Sequence, residues 1–239
     1  MNKNNSRFSG ALAGKNLASI RFSAPHQDKF QKMIGKKLKD GFKKFCGPRI
    51  SVIEIGTGAG LTSVEILKAD KRIILESIDN EPKMIRVAEK NLNSFIASGR
   101  LELILEDALK YLRRIPGGSV DSLASAMTLH NFKRVYRENI LREIFRVLQP
   151  QGIFINADKY VPDDEEEYGK EYAWQLRQFN KAPNEKIRTA WIEHYKTDNK
   201  PEIIMRAEES IAVMLKIGFK NIKINSRCRL EALLTAKKQ

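Results

Sequence analysis

The chain has 239 residues, 42% of them hydrophobic and 30% charged, with a formal net charge of +14 at pH 7. This composition argues against wholesale disorder, and the length suits one medium α/β domain with an insertion or, at most, two small domains. No stretch comes near the roughly 20 apolar residues that a membrane helix requires. The two cysteines, Cys46 and Cys228, stand far apart and outside any metal-ligand spacing. No disulfide framework and no metal site is therefore predicted, and a cytoplasmic location is the default expectation.

The positive charge is concentrated near the start of the sequence. Residues 1–50 carry twelve basic side chains and two acidic ones, Asp28 and Asp40. Such a surface can attract nucleic acid or anionic substrates, although a solvated lysine face explains it at least as well. Residues 1–25 predict a flexible leader, with a targeting peptide as the alternative because this stretch lacks acidic residues. Residues 26–239 are predicted to form the folded domain.

Helix and strand patterns alternate through the middle of the chain. First, apolar residues at every fourth position predict a helix over 26–45, ended by a Gly-Pro pair. Five short apolar segments then predict strands over 50–55, 72–79, 101–106, 119–127 and 153–157. Amphipathic helix patterns separate these strands. Strands that alternate with helices at this spacing predict a parallel sheet covered on both faces.

The C-terminal third departs from this alternation. Residues 161–205 are polar, charged and aromatic, and they predict inserted helices. A helix is predicted over 207–217, and the alternating segments 219–225 and 230–236 predict an antiparallel pair of strands that closes the sheet. The aromatic residues of the insertion predict a lid over a ligand or, in the plainer interpretation, the packing of two helices onto the sheet. They are Tyr168, Tyr172, Trp174, Phe179, Trp191, His194 and Tyr195.

A glycine-rich turn follows the first predicted strand. After Glu54 the sequence runs through Gly56, Gly58 and Gly60, with Thr57 between the first two glycines. Glycine is needed where the backbone takes a positive φ or approaches a ligand closely. A dinucleotide-binding turn has the spacing G-x-G-x-x-G, whereas the spacing here is G-x-G-x-G. An ordinary strand–helix turn is the remaining alternative.

Acidic side chains also stand at the ends of the second and third predicted strands. Asp79 could accept the hydroxyls of a ribose, or share a helix cap with Asn80. Asp107, followed by Ala108, could accept the exocyclic amine of an adenine, or simply begin the next helix. The carboxyl ends of parallel strands share one edge of a sheet. Glu54, Asp79 and Asp107 are therefore predicted to meet in one crevice.

The segments 54–60, 78–80, 106–108 and 141–158 together resemble the motif series of the class I S-adenosylmethionine-dependent methyltransferases, over roughly residues 49–159. The resemblance implies an α/β, Rossmann-like fold. Its sheet would be seven-stranded and mostly parallel with an antiparallel last strand, with helices on both faces and a helical insertion after strand five. One departure is Gln151, where the family usually has the first of two glycines.

The same resemblance implies the cofactor S-adenosyl-L-methionine, with S-adenosyl-L-homocysteine as its product. The methionine part would lie near 54–60, the ribose at Asp79 and the adenine at Asp107. The cofactor-binding residues that it implies are Glu54, Gly56, Thr57, Gly58, Gly60, Asp79, Asn80, Asp107 and Ala108.

Catalysis of methyl transfer depends mainly on alignment, because the methyl group of a sulfonium is already activated. An oxygen or nitrogen nucleophile can also need a base. His130, in the loop after the fourth strand, is the candidate base, and a structural histidine is the alternative. Tyr160, just after the fifth strand, is a second candidate, with a pocket-lining role.

Several functions remain open on the sequence. The leading hypothesis is methyl transfer to a small-molecule O, N or C nucleophile, as in ubiquinone/menaquinone-type methyltransferases. An RNA- or tRNA-directed enzyme, suggested by the charge, is not favoured because no RNA-binding module is evident. A non-catalytic protein that binds S-adenosylmethionine is a third reading. The fourth is an enzyme similar to the tRNA wobble-uridine carboxymethyl-donor synthases. That resemblance calls for an arginine to hold the extra carboxylate, and Lys196 stands where it is expected.

Overall fold

Seven strands form one sheet in the computed structural model, which describes residues 24–239. They are β1 (Ile50–Ile55), β2 (Ile73–Asp79), β3 (Leu101–Leu105), β4 (Val120–Ala126), β5 (Leu148–Lys159), β6 (Lys220–Cys228) and β7 (Glu231–Lys237). Their order across the sheet is β3-β2-β1-β4-β5-β7-β6. β1 to β5 are parallel, and β7 is antiparallel to both β5 and β6. The predicted mostly parallel sheet with an antiparallel last strand is confirmed.

The helices cover both faces of this sheet. They are α1 (Gln27–Gly41), α2 (Leu61–Ala69), α3 (Pro82–Asn91), α4 (Asn93–Ala97), α5 (Ala108–Arg114), α6 (Arg134–Val147), α7 (Glu165–Phe179), α8 (Glu185–Asp198) and α9 (Ala207–Ile217). α1, α2 and α3 pack in one apolar cluster with Val52 of β1, whereas α5, α6 and α9 pack in another with Ile53. Neighbouring residues of a strand point to opposite faces, so β1 is buried on both sides.

The fifth strand differs from its prediction. It begins at Leu148 rather than at residue 153, because the predicted 150–152 turn continues the strand as an irregularity. Gln151 takes φ +66° there, and its backbone N–H donates to the carbonyl of Lys238. The helix cap was also wrong by one residue: Glu81, not Asn80, caps α3 and accepts from the backbone N–H of Lys83.

The insertion after β5 is helical, as predicted, and consists mainly of α7 and α8. Its aromatic residues form a separate apolar cluster in which Phe179 stacks on Trp191 and Tyr172 stacks on Tyr195. Several of these aromatic residues therefore pack the two helices together, as the plainer interpretation expected.

The two ends of the described chain complete the fold. α1 buries Phe30, Ile34 and Leu38, which confirms the helix predicted from their spacing. The predicted leader, 1–25, lies outside the described residues except for its last two. At the other end, β6 is an edge strand that pairs with β7 through two register shifts. Within residues 24–239, no helix combines the length and the apolar character needed to cross a membrane.

Candidate active site

The glycine-rich turn joins β1 to α2 at the carboxyl edge of the sheet. Gly56 and Gly60 have φ values of +86° and +85°, and both are tightly enclosed. A Cβ on Gly56 would lie 2.0 Å from Oγ1 of Thr128, and one on Gly60 would lie 2.6 Å from Cδ1 of Leu92. Gly58, at φ +53°, has no atom of residues 24–239 within 4 Å of such a Cβ. The turn therefore requires glycine for packing at two positions, and at Gly58 it leaves open space beside the backbone.

Glu54 lies fully buried at the end of β1, just before this turn. Its Oε2 accepts hydrogen bonds from the hydroxyls of Ser63, at 2.5 Å, and Ser77, at 2.7 Å. Its Oε1 is buried and has no hydrogen-bond partner within residues 24–239. Burial raises the pKa of Glu54 to about 7, and the charge of Asp79 adds to this rise. A buried carboxylate oxygen without a donor suits a cationic ligand group such as an ammonium.

The turn is tied to β2 by a short polar network. Thr57 is buried, and its hydroxyl lies 2.7 Å from that of Ser77, which also bonds Glu54. The backbone N–H groups of Gly56 and Thr57 both donate to the carbonyl of Ile78. These bonds fix the turn before any ligand binds.

Asp79 ends β2 and holds the middle of the same turn. Its Oδ2 accepts from the backbone N–H of Gly58 at 2.8 Å, and its Oδ1 accepts from that of Glu81 at 2.9 Å. Burial is the main cause that raises the pKa of Asp79. Each carboxylate oxygen can accept more than one hydrogen bond, so ribose hydroxyls remain compatible with both contacts. Asn80 beside it is exposed.

Asp107 follows β3 and caps α5, where it accepts from the backbone N–H of Lys110 at 3.0 Å. Its second oxygen accepts from the hydroxyl of Tyr136 at 2.8 Å, and Ala108 next to it is buried. The structure thus gives Asp107 the helix-starting role that was the alternative to adenine binding. Tyr136 comes from α6, and no local sequence pattern singled it out.

His130 lies in a one-turn 3₁₀ helix, Leu129–Asn131, after β4. Its side chain is 6% exposed, and its Nδ1 lies 2.5 Å from Oδ1 of Asp158, near the end of β5. The other oxygen of Asp158 accepts from the backbone N–H of Leu129 at 2.8 Å. The carboxylate therefore orients the imidazole and leaves Nε2 as the nitrogen available to other groups. Sequence analysis assigned no role to Asp158.

The insertion brings two further polar side chains to His130. His194 and Asp198 lie one turn apart on α8, both buried, and Lys159 places its Nζ 3.6 Å from Oδ2 of Asp198. The candidate ligand atoms of His130, His194 and Asp198 lie within 4.8 Å of one another. Sequence analysis grouped His194 only with the aromatic residues, because nothing local connects it to the residues around 130.

Two other predicted positions have different surroundings. Tyr160 is buried in the main apolar cluster, where its hydroxyl accepts from the side-chain amide of Asn156 at 2.7 Å. This placement favours packing over the predicted pocket-lining role. Lys196 lies exposed on α8 and pairs with Glu193, so it does not face the crevice.

Comparison with known proteins adds a match to a family model. Residues 53–156, from the second half of β1 to β5, match the model described as "Methyltransferase domain". Together with the sheet order, this match supports the resemblance to the class I S-adenosylmethionine-dependent methyltransferase superfamily. The cofactor of this superfamily is S-adenosyl-L-methionine, and the orphaned Oε1 of Glu54 and the open backbone at Gly58 fit such a group.

Several curated relatives of the chain are named for a more specific activity. The chain is 26% identical over 162 residues to a carboxy-S-adenosyl-L-methionine synthase of Shewanella sp. (strain ANA-3), with 66% of this chain and 63% of the relative covered. It is 25% identical over 125 residues to the synthase of Nautilia profundicola, with 52% and 51% covered. The chain thus spans less than two thirds of the length of these relatives.

Solved structures share the fold at low identity. The CurJ carbon methyltransferase matches with a TM-score of 0.65 and 15% identity, covering 92% of this chain and 57% of that protein. An O-methyltransferase family protein from Burkholderia thailandensis matches at 0.63 and 15%, covering 93% and 60%. The [4+2]-cyclase SpnF matches at 0.59 and 16%, covering 87% and 80%. Because one of these folds is named a cyclase, the reaction must be argued from the site.

Proposed function

We propose that this chain transfers the methyl group of S-adenosylmethionine to a small-molecule nucleophile. One observation carries the proposal: the open backbone at Gly58 lies between the buried Glu54 and the carboxylate of Asp79, which binds that backbone directly. The arrangement offers an acceptor for an ammonium, space for close approach, and an acceptor for hydroxyls, all on one crevice.

The residues of the donor side would act by binding and orientation. Oε1 of Glu54 would accept a hydrogen bond from the ammonium of the methionine part, and Asp79 would accept hydrogen bonds from the ribose hydroxyls. Asp107 and Ala108 would border the adenine, and exposed Asn80 could contact the ribose from solvent. When bound, the cofactor supplies a methyl group already activated on a sulfonium, so the protein contributes mainly alignment.

The acceptor side would lie near His130. Asp158 fixes the Nδ1 side of the imidazole, which leaves Nε2 to take a proton from an oxygen or nitrogen nucleophile. The helices α7 and α8 and their aromatic cluster are proposed as the lid that excludes water and selects the acceptor.

The alternative suggested by the curated relatives is the making of a carboxylated donor. Their printed name favours it, but the position where an arginine would hold the extra carboxylate is Lys196, which is exposed and paired with Glu193. The RNA-directed alternative is supported only by the net charge of +14. Methyl transfer to a small molecule therefore remains the proposal.

The first experiment measures binding of S-adenosylmethionine and S-adenosylhomocysteine by calorimetry. We expect micromolar binding to the wild-type protein and at least about a tenfold loss of affinity in Asp79→Ala. The variant loses the hydrogen bonds of Asp79 to the backbone of Gly58 and Glu81, and the proposed acceptor of the ribose hydroxyls. Glu89→Ala, which removes an exposed acid from α3, is the matched control and should bind as the wild type does. Equal affinity in Asp79→Ala and wild type would overturn the assignment of the donor site.

A second experiment follows labelled methyl from the donor into a panel of small nucleophiles and into tRNA. Label in a small molecule supports the proposal, and label in tRNA alone contradicts it. Intact donor binding without any transfer would identify a binding protein. Mass spectrometry of ligands that co-purify with the protein would detect a carboxylated donor.

A further inference from the structure

Three buried side chains with metal-binding atoms meet beneath the insertion. His130 comes from the loop after β4, whereas His194 and Asp198 come from α8. Their side chains are 6%, 5% and 8% exposed, and one potential ligand atom of each lies within 4.8 Å of the others. The methyl-transfer proposal assigns no role to His194 or Asp198.

The separation between His194 and Asp198 is compatible with an ion shared by the two side chains. Nε2 of His194 lies 3.7 Å from Oδ1 of Asp198, which is longer than a hydrogen bond. Atoms that surround a zinc ion at about 2.1 Å in a tetrahedral arrangement are about 3.4 Å apart. Residues four apart on a helix also project on the same side, so α8 presents both groups together. A small movement of α8 would bring the three groups to metal-binding distances.

His130 is oriented as a ligand by its neighbour. Its Nδ1 lies 2.5 Å from Oδ1 of Asp158, so Nε2 is the nitrogen left for an ion. A carboxylate that holds the second nitrogen of a ligating histidine is the usual support of a metal site, because it fixes the tautomer and increases the basicity of the ring. Asp158 is itself held by the backbone N–H groups of Leu129 and Lys159, both at 2.8 Å.

Two cations also lie beside the cluster. Lys159 places its Nζ 3.6 Å from Oδ2 of Asp198, and the buried Arg137 adds a second positive charge near Asp158. The ion would therefore bind beside these cations rather than replace them. Lys159 approaches Oδ2, whereas Oδ1 is the oxygen nearest His194, so the lysine and a metal ion would use different oxygens.

We propose that His130, His194 and Asp198 bind a divalent transition-metal ion, with Zn²⁺ as the best match. Two imidazoles and one carboxylate are a ligand set that zinc accepts, with a fourth position left open for a further ligand. Such an ion would join α8 to the ends of β4 and β5. Binding does not require methyl transfer, so the inference goes beyond the proposed function. Since Nε2 of His130 cannot bind a metal and take a proton at once, the role of His130 as base applies to the metal-free protein.

Zinc binding to the full-length, chelator-treated protein is the test. The measurements are calorimetry with ZnCl2, and visible absorption after addition of CoCl2, which reports coordination without any enzyme assay. All proteins carry Cys46→Ser so that the exposed thiol of Cys46 does not contribute. We expect one zinc per chain and cobalt bands of a four- or five-coordinate site. MgCl2 should not compete, because magnesium prefers oxygen ligands.

Variants assign the ligands. His194→Gln and Asp198→Asn should each weaken zinc binding at least about tenfold, the typical minimum even for residues that only support a metal ligand. His26, the remaining histidine of the chain, lies outside the cluster. His26→Gln should therefore bind zinc as the parent protein does. Binding of S-adenosylhomocysteine to each variant shows that it is folded and tests the donor site separately. Unchanged zinc affinity in His194→Gln, or no stoichiometric zinc in the folded parent protein, would overturn the proposal.

Discussion

Nδ1 of His130 and Oδ1 of Asp158 lie 2.5 Å apart, although His130 follows β4 and Asp158 lies near the end of β5. Both side chains are buried, and β4 and β5 are parallel neighbours, so their carboxyl ends bring the pair together. The carboxylate also accepts backbone N–H groups from Leu129, His130 and Lys159. One side chain therefore shapes the loop after β4 and selects the free nitrogen of the imidazole.

Asp158→Asn should consequently affect both stability and catalysis. An amide at this position turns an NH₂ group toward at least one of these donors, and we expect a loss of about 2 kcal/mol in the free energy of unfolding. Methyl transfer should fall more than about tenfold in kcat, because the imidazole loses its fixed orientation. Affinity for S-adenosylhomocysteine should be unchanged. Urea unfolding and kinetics check this, with Asp163→Asn, whose carboxylate accepts one backbone N–H, as the control.

Gly58 provides a test of close ligand approach. Among the described residues, alanine at Gly58 or at Gly118 meets no atom within 4 Å. Both residues have positive φ, so each substitution should cost about 1 kcal/mol of stability. Only Gly58 belongs to the proposed donor site. Gly58→Ala should therefore weaken binding of S-adenosylhomocysteine by about tenfold or more, whereas Gly118→Ala should not. Equal binding by the two variants would show that the ligand does not approach the turn.

Glu54 makes stability depend on pH. Its pKa is about 7 in the folded protein against an ordinary value of 4.5, so the folded state holds the proton more tightly. The stabilising contribution is complete below about pH 4.5 and is lost as the pH rises to 7. Glu54→Gln stays neutral, and its stability relative to wild type should increase between pH 4 and pH 8 by up to about 3 kcal/mol. Urea unfolding at the two pH values measures this, and a constant difference would contradict the buried, protonated state.

Glu89→Gln is the matched control for that experiment. It makes the same change of an acid to its amide at an exposed position of α3. Because both proteins retain every other ionisable group, effects of Glu231 and of the histidines cancel in the comparison with wild type.

Arg137 joins the loop after β4 to the end of the insertion. It is buried, and its guanidinium donates to the backbone carbonyls of Phe132, Ile203 and Ile204. Arg137→Met should cost at least about 2 kcal/mol in the free energy of unfolding, because it leaves buried carbonyls without donors.

Arg134, on the same helix, is the control for Arg137. The side chain of Arg134 is 43% exposed and forms an ion pair with Glu209. Arg134→Met should therefore cost less than about 1 kcal/mol in the free energy of unfolding. Thermal unfolding of the two variants measures this difference. Equal losses of stability would contradict the structural role of Arg137.

Gln151 carries backbone strain that glycine would relieve. It is exposed and takes φ +66°, a conformation that costs a residue with a Cβ about 1 kcal/mol. Gln151→Gly should leave the protein at least as stable as wild type, and more stable than Gln151→Ala by up to about 1 kcal/mol. Ala keeps the Cβ and so serves as the control. If the two variants unfold at the same temperature, the left-handed conformation is not retained in solution.

The sequence predicted the sheet well because its strands follow local patterns. Apolar segments marked β1 to β5, and the acids and glycines at their ends had to meet because parallel strands share an edge. The positive φ of the glycines could likewise be expected from residue type. The sequence did not predict that the carboxylate of Asp79 accepts a hydrogen bond from the backbone N–H of Gly58.

The surroundings of His130 depend on contacts between distant segments, and the sequence did not predict them. His194 and Asp198 reach His130 only because α8 folds back over the sheet. Lys196 follows the buried Tyr195 directly, and one residue rotates a helix by about 100°, so Lys196 points to solvent. Which face of an inserted helix meets the sheet is decided by packing of the whole insertion, and its mixed aromatic and charged pattern did not reveal it.

The irregular edge strand β6 has a consequence for association between copies of the chain. An unpaired strand edge offers backbone hydrogen bonds to any extended segment that approaches it. Here the two register shifts interrupt that row, and the exposed Lys220 and Lys223 place like charges against each other in an edge-to-edge approach of two copies. The sheet is thereby protected from continuing into a neighbouring molecule on this side, even though β6 pairs with no further strand within residues 24–239.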